Sequence, residues 1–110
     1  MIMKIFEYND VKQVVVCGDI HGAFEALVYK TCVQYGMTDT VVVVAGDCGF
    51  GFERPNHYVN LYNALAGRLK KANNWIVFVR GNHDDPSYFQ EEKVNYERFR
   101  CVPDYSVIKA

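Results

Sequence analysis

Gly18-Asp19-Ile20-His21-Gly22 directly follows the apolar run Val14-Val15-Val16-Cys17. Apolar β-branched residues that stop abruptly at glycine and polar residues are typical of a buried strand that leads into a loop. Asp19 and His21 are two positions apart, so on an extended segment their side chains would point to the same side. A carboxylate and an imidazole directed at one point provide half of a metal site.

The same pattern occurs at two further places in the chain. The apolar residues 41–45 lead into Gly46-Asp47, and residues 75–80 lead into Gly81-Asn82-His83-Asp84. In each case a strand-like run ends in glycine, and a metal-binding or acid-base type of residue follows at once. Each instance is a weak signal alone, but the repetition indicates one shared site.

Helical periodicity separates these predicted strands. Two amphipathic stripes, with steps of three and four residues, run over residues 23–35 and 56–72. Strands are expected at residues 13–17, 40–45 and 75–80, and their apolar character without alternation predicts helices on both faces of a parallel sheet. The β-α-β-α-β order predicts an α/β fold with right-handed crossovers. All three polar loops then lie at the carboxyl ends of the strands, where such sheets bind ligands.

The remaining segments are less regular. Residues 2–8 are expected to form a short or edge strand, and Pro86 can begin a short helix that extends to Glu92. Residues 99–102 and 105–108 are candidate strands. We expect a single domain over residues 1–110, because 110 residues cannot form two full cores.

Composition excludes several classes of function. Half of the residues are hydrophobic and the formal net charge is −1, with no basic run longer than Lys70-Lys71. This balance gives no electrostatic basis for binding nucleic acid or a membrane surface. The apolar runs are also shorter than the ~20 residues that cross a bilayer. We therefore expect neither a membrane nor a nucleic-acid partner.

Cysteine usage bears on both localisation and the site. The four cysteines lack paired spacing, and no signal peptide is evident in Met1-Ile2-Met3-Lys4, so reduced thiols in the cytoplasm are expected. Cys17 and Cys48 flank the predicted site, which leaves a thiolate metal site as an alternative. The favoured interpretation is that both are small buried apolar side chains.

The candidate ligands combine carboxylate, imidazole and amide groups: Asp19, His21, Asp47 and Asn82. This donor mixture suits divalent ions such as Mn²⁺, Fe²⁺ and Zn²⁺. Asp47 follows the central strand, which makes it the natural bridge between two ions. Two ions roughly 3.5–4 Å apart can hold a hydroxide and clamp an in-line phosphoryl displacement. The leaving oxygen also needs a proton, for which His83, oriented by Asp84 or Asp85, is the candidate acid.

Simpler interpretations exist for single residues. An Asp after a strand-ending Gly can be a turn former or a helix cap, and an Asn can occupy a left-handed turn position. His57 lies near the start of the second predicted helix and is interpreted as a surface or capping residue. Arg54 and Arg80 could meet a phosphate, but Arg80 ends a predicted strand and Arg54 lies in a loop whose position the sequence does not indicate.

The three blocks resemble the first three signature blocks of the calcineurin-like metallophosphoesterases, over about residues 12–85. In that family the Asp and His of the first block and the Asp of the second hold one metal ion, and the second-block Asp bridges to another ion, which the third-block Asn also binds. The His of the third block assists the leaving group, and the acid after it orients that His. The resemblance therefore implies metal ligands at Asp19, His21, Asp47 and Asn82, and catalytic roles for His83 and Asp84. It implies hydrolysis of phosphate mono- or diesters in small molecules or phosphorylated substrates.

The sequence departs from the family pattern in two ways. In the phosphoprotein phosphatases the second block continues with an Asp and an Arg. Here Asp47 is followed by Cys48 instead, and those two residues are absent from the block. No histidine follows His83, whereas the family has further histidine ligands in a second half.

We expect the chain to correspond to an amino-terminal half that is either an enzyme or a non-catalytic remnant binding at most one ion weakly. Self-association is expected for such a half. A nucleotide-binding module fits less well, because the first block is not a glycine-rich phosphate loop.

Overall fold

The computed structural model describes residues 3–110, so Met1 and Ile2 of the predicted first strand lie outside the described part. The strands are β1 Lys4–Glu7, β2 Gln13–Cys17, β3 Thr40–Ala45, β4 Trp75–Val79, β5 Asn95–Tyr96, β6 Phe99–Cys101 and β7 Ser106–Lys109. The helices are α1 Phe24–Tyr29, α2 Pro55–Ala72 and α3 Pro86–Gln90, and α1 continues into a π-helical segment at Lys30–Gln34. None of the helices in the described part is long and apolar enough to span a membrane.

The larger sheet has the strand order β2-β3-β4-β6-β5. Strands β2, β3, β4 and β6 are parallel, whereas β5 is antiparallel to β6. The register aligns Cys17 with Val44, and Val44 with Phe78, so the three predicted core strands end at the same edge of the sheet. The predicted parallel β-α-β-α-β arrangement is therefore confirmed.

One face of this sheet carries the helices. The buried side chains of all three helices form a single cluster with residues of β3 and β4 that alternate along the strands, namely Val42, Val44, Ile76 and Phe78. The prediction of helices on both faces is wrong. Because the order β2-β3-β4 advances in one direction, two right-handed crossovers place their helices on the same side.

The opposite face is covered by a small parallel sheet made of β1 and β7. Tyr8 packs there with Val41, Val77 and Val102 in a second buried cluster. This cover does not extend to the β2 edge, where Val14 and Val16 are 49% and 67% exposed. The apolar run of β2 is thus half-buried on the helical face, at Val15 and Cys17, and exposed on the other.

The carboxyl-terminal segment follows the sequence pattern less closely. The candidate strands at residues 99–102 and 105–108 are present as β6 and β7, and the predicted short helix is α3, which ends at Gln90. The two-residue strand β5 was not predicted, because its Asn95-Tyr96 pair lacks an apolar alternation. Its antiparallel pairing with β6 completes the sheet edge opposite to β2.

Candidate functional site

Backbone hydrogen bonds join the loops that follow β2, β3 and β4. The Asp19 N–H donates to the Gly46 carbonyl at 3.1 Å, and the His21 N–H donates to the Asp47 carbonyl at 3.1 Å. The Gly46 N–H in turn donates to the Val79 carbonyl at 2.9 Å. The ladders of the parallel sheet therefore continue beyond the strands, and this continuation brings the three polar blocks to one edge.

Glycine is required where these loops touch. A Cβ atom at position 81 would lie 2.1 Å from the Asp47 nitrogen, and a Cβ atom at position 49 would lie 2.3 Å from the Gly22 nitrogen. Both distances are far below any tolerated contact, and Gly49 also has a φ of +108°. Gly81 and Gly49 thus permit a backbone approach that any side chain would prevent.

Three of the predicted ligands have a strained backbone. Asp19, His21 and Asp47 have φ values of 54°, 47° and 47°, in the left-handed region that is uncommon for residues other than glycine. Residues in this region cost of order 1–3 kcal/mol each and concentrate at functional sites. The block at residues 19–21 is therefore not extended, and the predicted extended conformation that would direct both side chains to the same side is wrong.

Asp47 and His83 are in direct contact. The Asp47 Oδ1 atom lies 3.2 Å from the His83 Nδ1 atom and accepts a hydrogen bond from the His83 backbone N–H at 3.3 Å. That backbone hydrogen bond, followed by the interaction with the His83 ring, lowers the pKa of Asp47 against the opposing effect of burial. The carboxylate is therefore kept in its ionised form, which is the form that binds metal ions.

Asp84 organises the loops through its buried carboxylate. Its Oδ1 atom accepts hydrogen bonds from the backbone N–H groups of Gly49 at 2.7 Å and Phe50 at 3.1 Å. Its Oδ2 atom accepts hydrogen bonds from those of Cys48 at 3.0 Å and Gly81 at 2.9 Å. With the residue only 4% exposed, these four bonds fix the loop after β3 to the loop after β4.

The acid that follows His83 was expected to orient its ring, and the contacts differ from that expectation. Asp84 is directed at backbone amides, and Asp85 caps α3 by accepting a hydrogen bond from the Ser87 N–H at 3.0 Å. The carboxylate beside the His83 ring is that of Asp47. An orienting role is therefore better placed on Asp47 than on Asp84 or Asp85.

A cavity of about 400 Å³ opens at this edge. It is lined by His21, Asp47, Gly49, Phe52, His83 and Asp84. Among the described residues, Asp19 and Asn82 are exposed and lie outside this lining. The cavity thus brings together four of the six predicted site residues, His21, Asp47, His83 and Asp84.

The donor set fits a divalent cation by its chemistry. The oxygen atoms of Asp19, Asp47 and Asn82 and the imidazole of His21 are ligands for hard or borderline ions. Within residues 3–110, no group of three or more His, Cys, Asp or Glu side chains is arranged to hold a metal ion. The backbone therefore brings the ligand-bearing loops together, while the side chains are not gathered around one point.

The thiolate alternative is disfavoured by burial. Cys48 is fully buried, with its Sγ atom 3.4 Å from the Val79 carbonyl oxygen. Burial raises the pKa of the Cys48 thiol, and it also raises that of Cys17. Both groups are therefore protonated at neutral pH, as expected for small side chains of the core.

The other polar residues considered from the sequence lie apart from this chemistry. Arg80 is paired with Asp104 at 2.9 Å, and Arg54 is the exposed residue at the amino-terminal cap of α2. His57 is exposed in the first turn of α2. Sequence reasoning missed Phe52, which is 72% exposed beside the cavity; its only signal was an aromatic residue in a glycine-containing loop.

The chain matches the family described as calcineurin-like phosphoesterase over residues 12–109. The match includes all three polar blocks and extends beyond the resemblance at residues 12–85 through β6 and β7. Comparisons with curated proteins and with solved structures gave no significant match. Because the match covers most of the chain and includes the strands that position the candidate site, the chain belongs to the calcineurin-like phosphoesterase family.

Proposed function

We propose that this chain is a divalent-metal-dependent phosphoesterase that hydrolyses phosphate mono- or diesters. Its family is generally dependent on divalent metal ions. The observation that supports the proposal is the set of backbone hydrogen bonds from Asp19 and His21 to the loop after β3 and from Gly46 to Val79 at the end of β4, which gather the three polar blocks at one edge. The substrate would be a small-molecule phosphate ester or a phosphorylated macromolecule.

The roles of the residues follow from their chemistry. Asp19, His21, Asp47 and Asn82 would hold a cation such as Mn²⁺, Fe²⁺ or Zn²⁺, with up to two ions in a complete site. A bound cation supplies a Lewis acid for the phosphoryl oxygens and lowers the pKa of water. Because the Nδ1 atom of His83 faces Asp47, its Nε2 atom is the one left to give a proton to the leaving oxygen.

The second candidate is a non-catalytic remnant that binds at most one divalent ion weakly. The observation that favours it is the lack, within the described residues, of three side chains of suitable type arranged around one ion. A remnant would keep the fold and the strained loops but would have no hydrolytic activity.

The test is hydrolysis of p-nitrophenyl phosphate and bis-p-nitrophenyl phosphate with added Mn²⁺. The enzyme proposal predicts turnover that Asp47→Asn lowers by about 100-fold or more, because the variant weakens both the ligand set and the contact with His83. Asp10→Asn is the matched control and should leave the turnover unchanged. Asp10 is also an exposed acid with a left-handed backbone, but it precedes the start of β2, at the end of the sheet away from the site.

Isothermal titration with Mn²⁺ separates the two candidates. Binding without turnover supports the remnant. If neither binding nor turnover is detected, both candidates are wrong. Equal activity in the wild type and in Asp47→Asn would show that any observed hydrolysis does not arise at this site.

We also propose that the chain self-associates through the open β2 edge. Val14 and Val16 are exposed on this edge strand, and an unpaired strand with apolar side chains is a template for pairing. Sedimentation velocity is expected to show dimers or larger species, and Val16→Lys is expected to reduce them. A monodisperse wild-type monomer would contradict the proposal.

We also propose that the protein is located in the cytoplasm, where its four free thiols would remain reduced.

A further inference from the structure

A second cavity adjoins the one at the candidate site. It has a volume of about 440 Å³ and lies between the first turns of α1 and α2. The two cavities share three lining residues, His21, Gly49 and Phe52. A molecule with a phosphate group at His21 and His83 can therefore extend into the second cavity without leaving the protein surface.

Phe52 stands at the junction of the two cavities on a loop that is fixed on both sides. Its ring is 72% exposed. The preceding Gly51 N–H donates to the Tyr58 hydroxyl at 3.1 Å, and the following Glu53 carbonyl accepts a hydrogen bond from the Tyr88 hydroxyl at 3.4 Å. The backbone on either side of Phe52 is therefore already ordered, so a ligand that contacts the ring does not have to order the loop.

The lining of the second cavity favours an uncharged, flat group. Its inner wall includes Tyr58 and Leu61, whereas Glu25 and Glu53 add carboxylates. Those carboxylates repel a phosphate group. The phosphate therefore belongs in the first cavity and the organic part of the ester in the second, where the exposed ring of Phe52 is available for stacking.

We propose that the second cavity is a binding site for the organic part of the phosphate ester, and that this part carries an aromatic ring that stacks on Phe52. The inference rests on the proposed phosphoesterase function. It narrows the substrate to esters of alcohols or phenols that contain a flat ring, with Phe52 as the residue that sets this preference.

The test compares two non-hydrolysable ligands of similar size, benzylphosphonate and cyclohexylmethylphosphonate. Their dissociation constants are measured by amide chemical-shift titration of the full chain in the presence of Zn²⁺. We expect benzylphosphonate to bind about 2- to 10-fold more tightly, as an aromatic pair contributes beyond its buried area. The largest shifts are expected in the loop around Phe52 and in the first turn of α2.

Variants at Phe52 identify the source of the preference. Phe52→Leu keeps an apolar side chain without a ring and is expected to bring the ratio of dissociation constants close to one, while Phe52→Trp restores it. Val59→Ala is the matched control, because Val59 is 40% exposed on α2 and lies outside the lining of both cavities; it is expected to leave the ratio unchanged.

Equal affinity for the two ligands, an unchanged ratio in Phe52→Leu, or no binding of either ligand would overturn the inference. The proposed function fails on a different measurement, the effect of Asp47→Asn on hydrolysis. An active enzyme with no preference for the ring would refute the inference alone. A ring preference without hydrolysis would refute the phosphoesterase proposal while the binding site remained.

Discussion

The polar side chains at the two ends of the parallel sheet differ in their burial and hydrogen bonding. At the amino end, Asn74 is fully buried and accepts a hydrogen bond from the Thr40 N–H at 3.0 Å, while its amide donates to the Met37 carbonyl at 2.9 Å. At the carboxyl end, His21 and His83 are exposed. Polar groups at the amino end therefore stabilise the fold, whereas most of those at the carboxyl end are available to a ligand.

Backbone strain alone does not distinguish the two ends. Asp39 and Asn73, at the amino end, also have positive φ values of 53° and 56°. Their side chains bond to each other, with the Asn73 amide donating to the Asp39 carboxylate at 2.7 Å. Asp10, also near the amino end, has a positive φ and an exposed side chain as well. The carboxyl end differs because the strained residues Asp19, His21 and Asp47 lie on loops that are hydrogen-bonded to each other, and this convergence indicates function.

Asp84 is the exception at the carboxyl end, and replacing it is expected to have the largest effect. Asp84→Ala would leave the backbone N–H groups that it serves without their acceptor. We expect the free energy of unfolding to fall by about 3–4 kcal/mol, because each unpaired buried donor is costly and the acceptor is charged. Urea unfolding followed by circular dichroism measures this change.

Asp85→Ala is the matched control for this prediction. It removes a neighbouring acid that caps only the short helix α3, and it should cost about 1 kcal/mol. If the two variants were equally stable, Asp84 would not be the residue that fixes the loops. Asp84 would then be no exception, and the polar side chains at the carboxyl end would not stabilise the fold.

The sequence was sufficient to predict the elements that contain a strong periodic signal. The runs Gln13–Cys17 and Thr40–Ala45 are apolar and bounded by turn residues, so β2 and β3 agree with the prediction to the residue. The face on which the helices lie was not predictable from the apolar runs, because it depends on the strand order. The strand at Asn95–Tyr96 depends on pairing with β6, and no local pattern marks it.

The candidate site was predictable at the level of residue types and loops but not of contacts. Glycine before Asp19, Asp47 and Asn82 indicated the junctions, because strand ends with tight turns leave a signal in the sequence. The hydrogen bonds of Asp84 left none, since they depend on how two loops approach each other in space. For the same reason, the partner of His83 was expected among its sequence neighbours and is Asp47 instead.

Replacement of the strained histidine at the carboxyl end is expected to raise stability. His21→Gly removes an exposed side chain at φ 47° and should increase the free energy of unfolding by about 1 kcal/mol, because glycine adopts this conformation without steric cost. The control is His57→Gly, since His57 is an exposed histidine in helical conformation; it should lower stability by up to about 1 kcal/mol. Urea unfolding of both variants gives the two signs, and a loss of stability in His21→Gly would contradict the assignment of strain.

The smallest expected effect is at the amino end and depends on pH. Hydrogen bonds from Asn73 and then Lys12 lower the pKa of Asp39, and Lys12 lies 3.2 Å from its carboxylate. A carboxyl group with a lowered pKa in the folded state stabilises the fold at pH values above its unfolded pKa of about 3.9. This contribution is lost as the pH falls through the folded-state pKa.

Asp39→Asn keeps an acceptor for Asn73 and tolerates the left-handed backbone, but it removes the charge. Urea unfolding should therefore show the wild type slightly more stable than the variant above about pH 5, with the difference decreasing as the pH falls below the unfolded value. A difference that did not change with pH would mean that the charge of Asp39 contributes nothing and that the amino end is held by neutral hydrogen bonds such as those of Asn74.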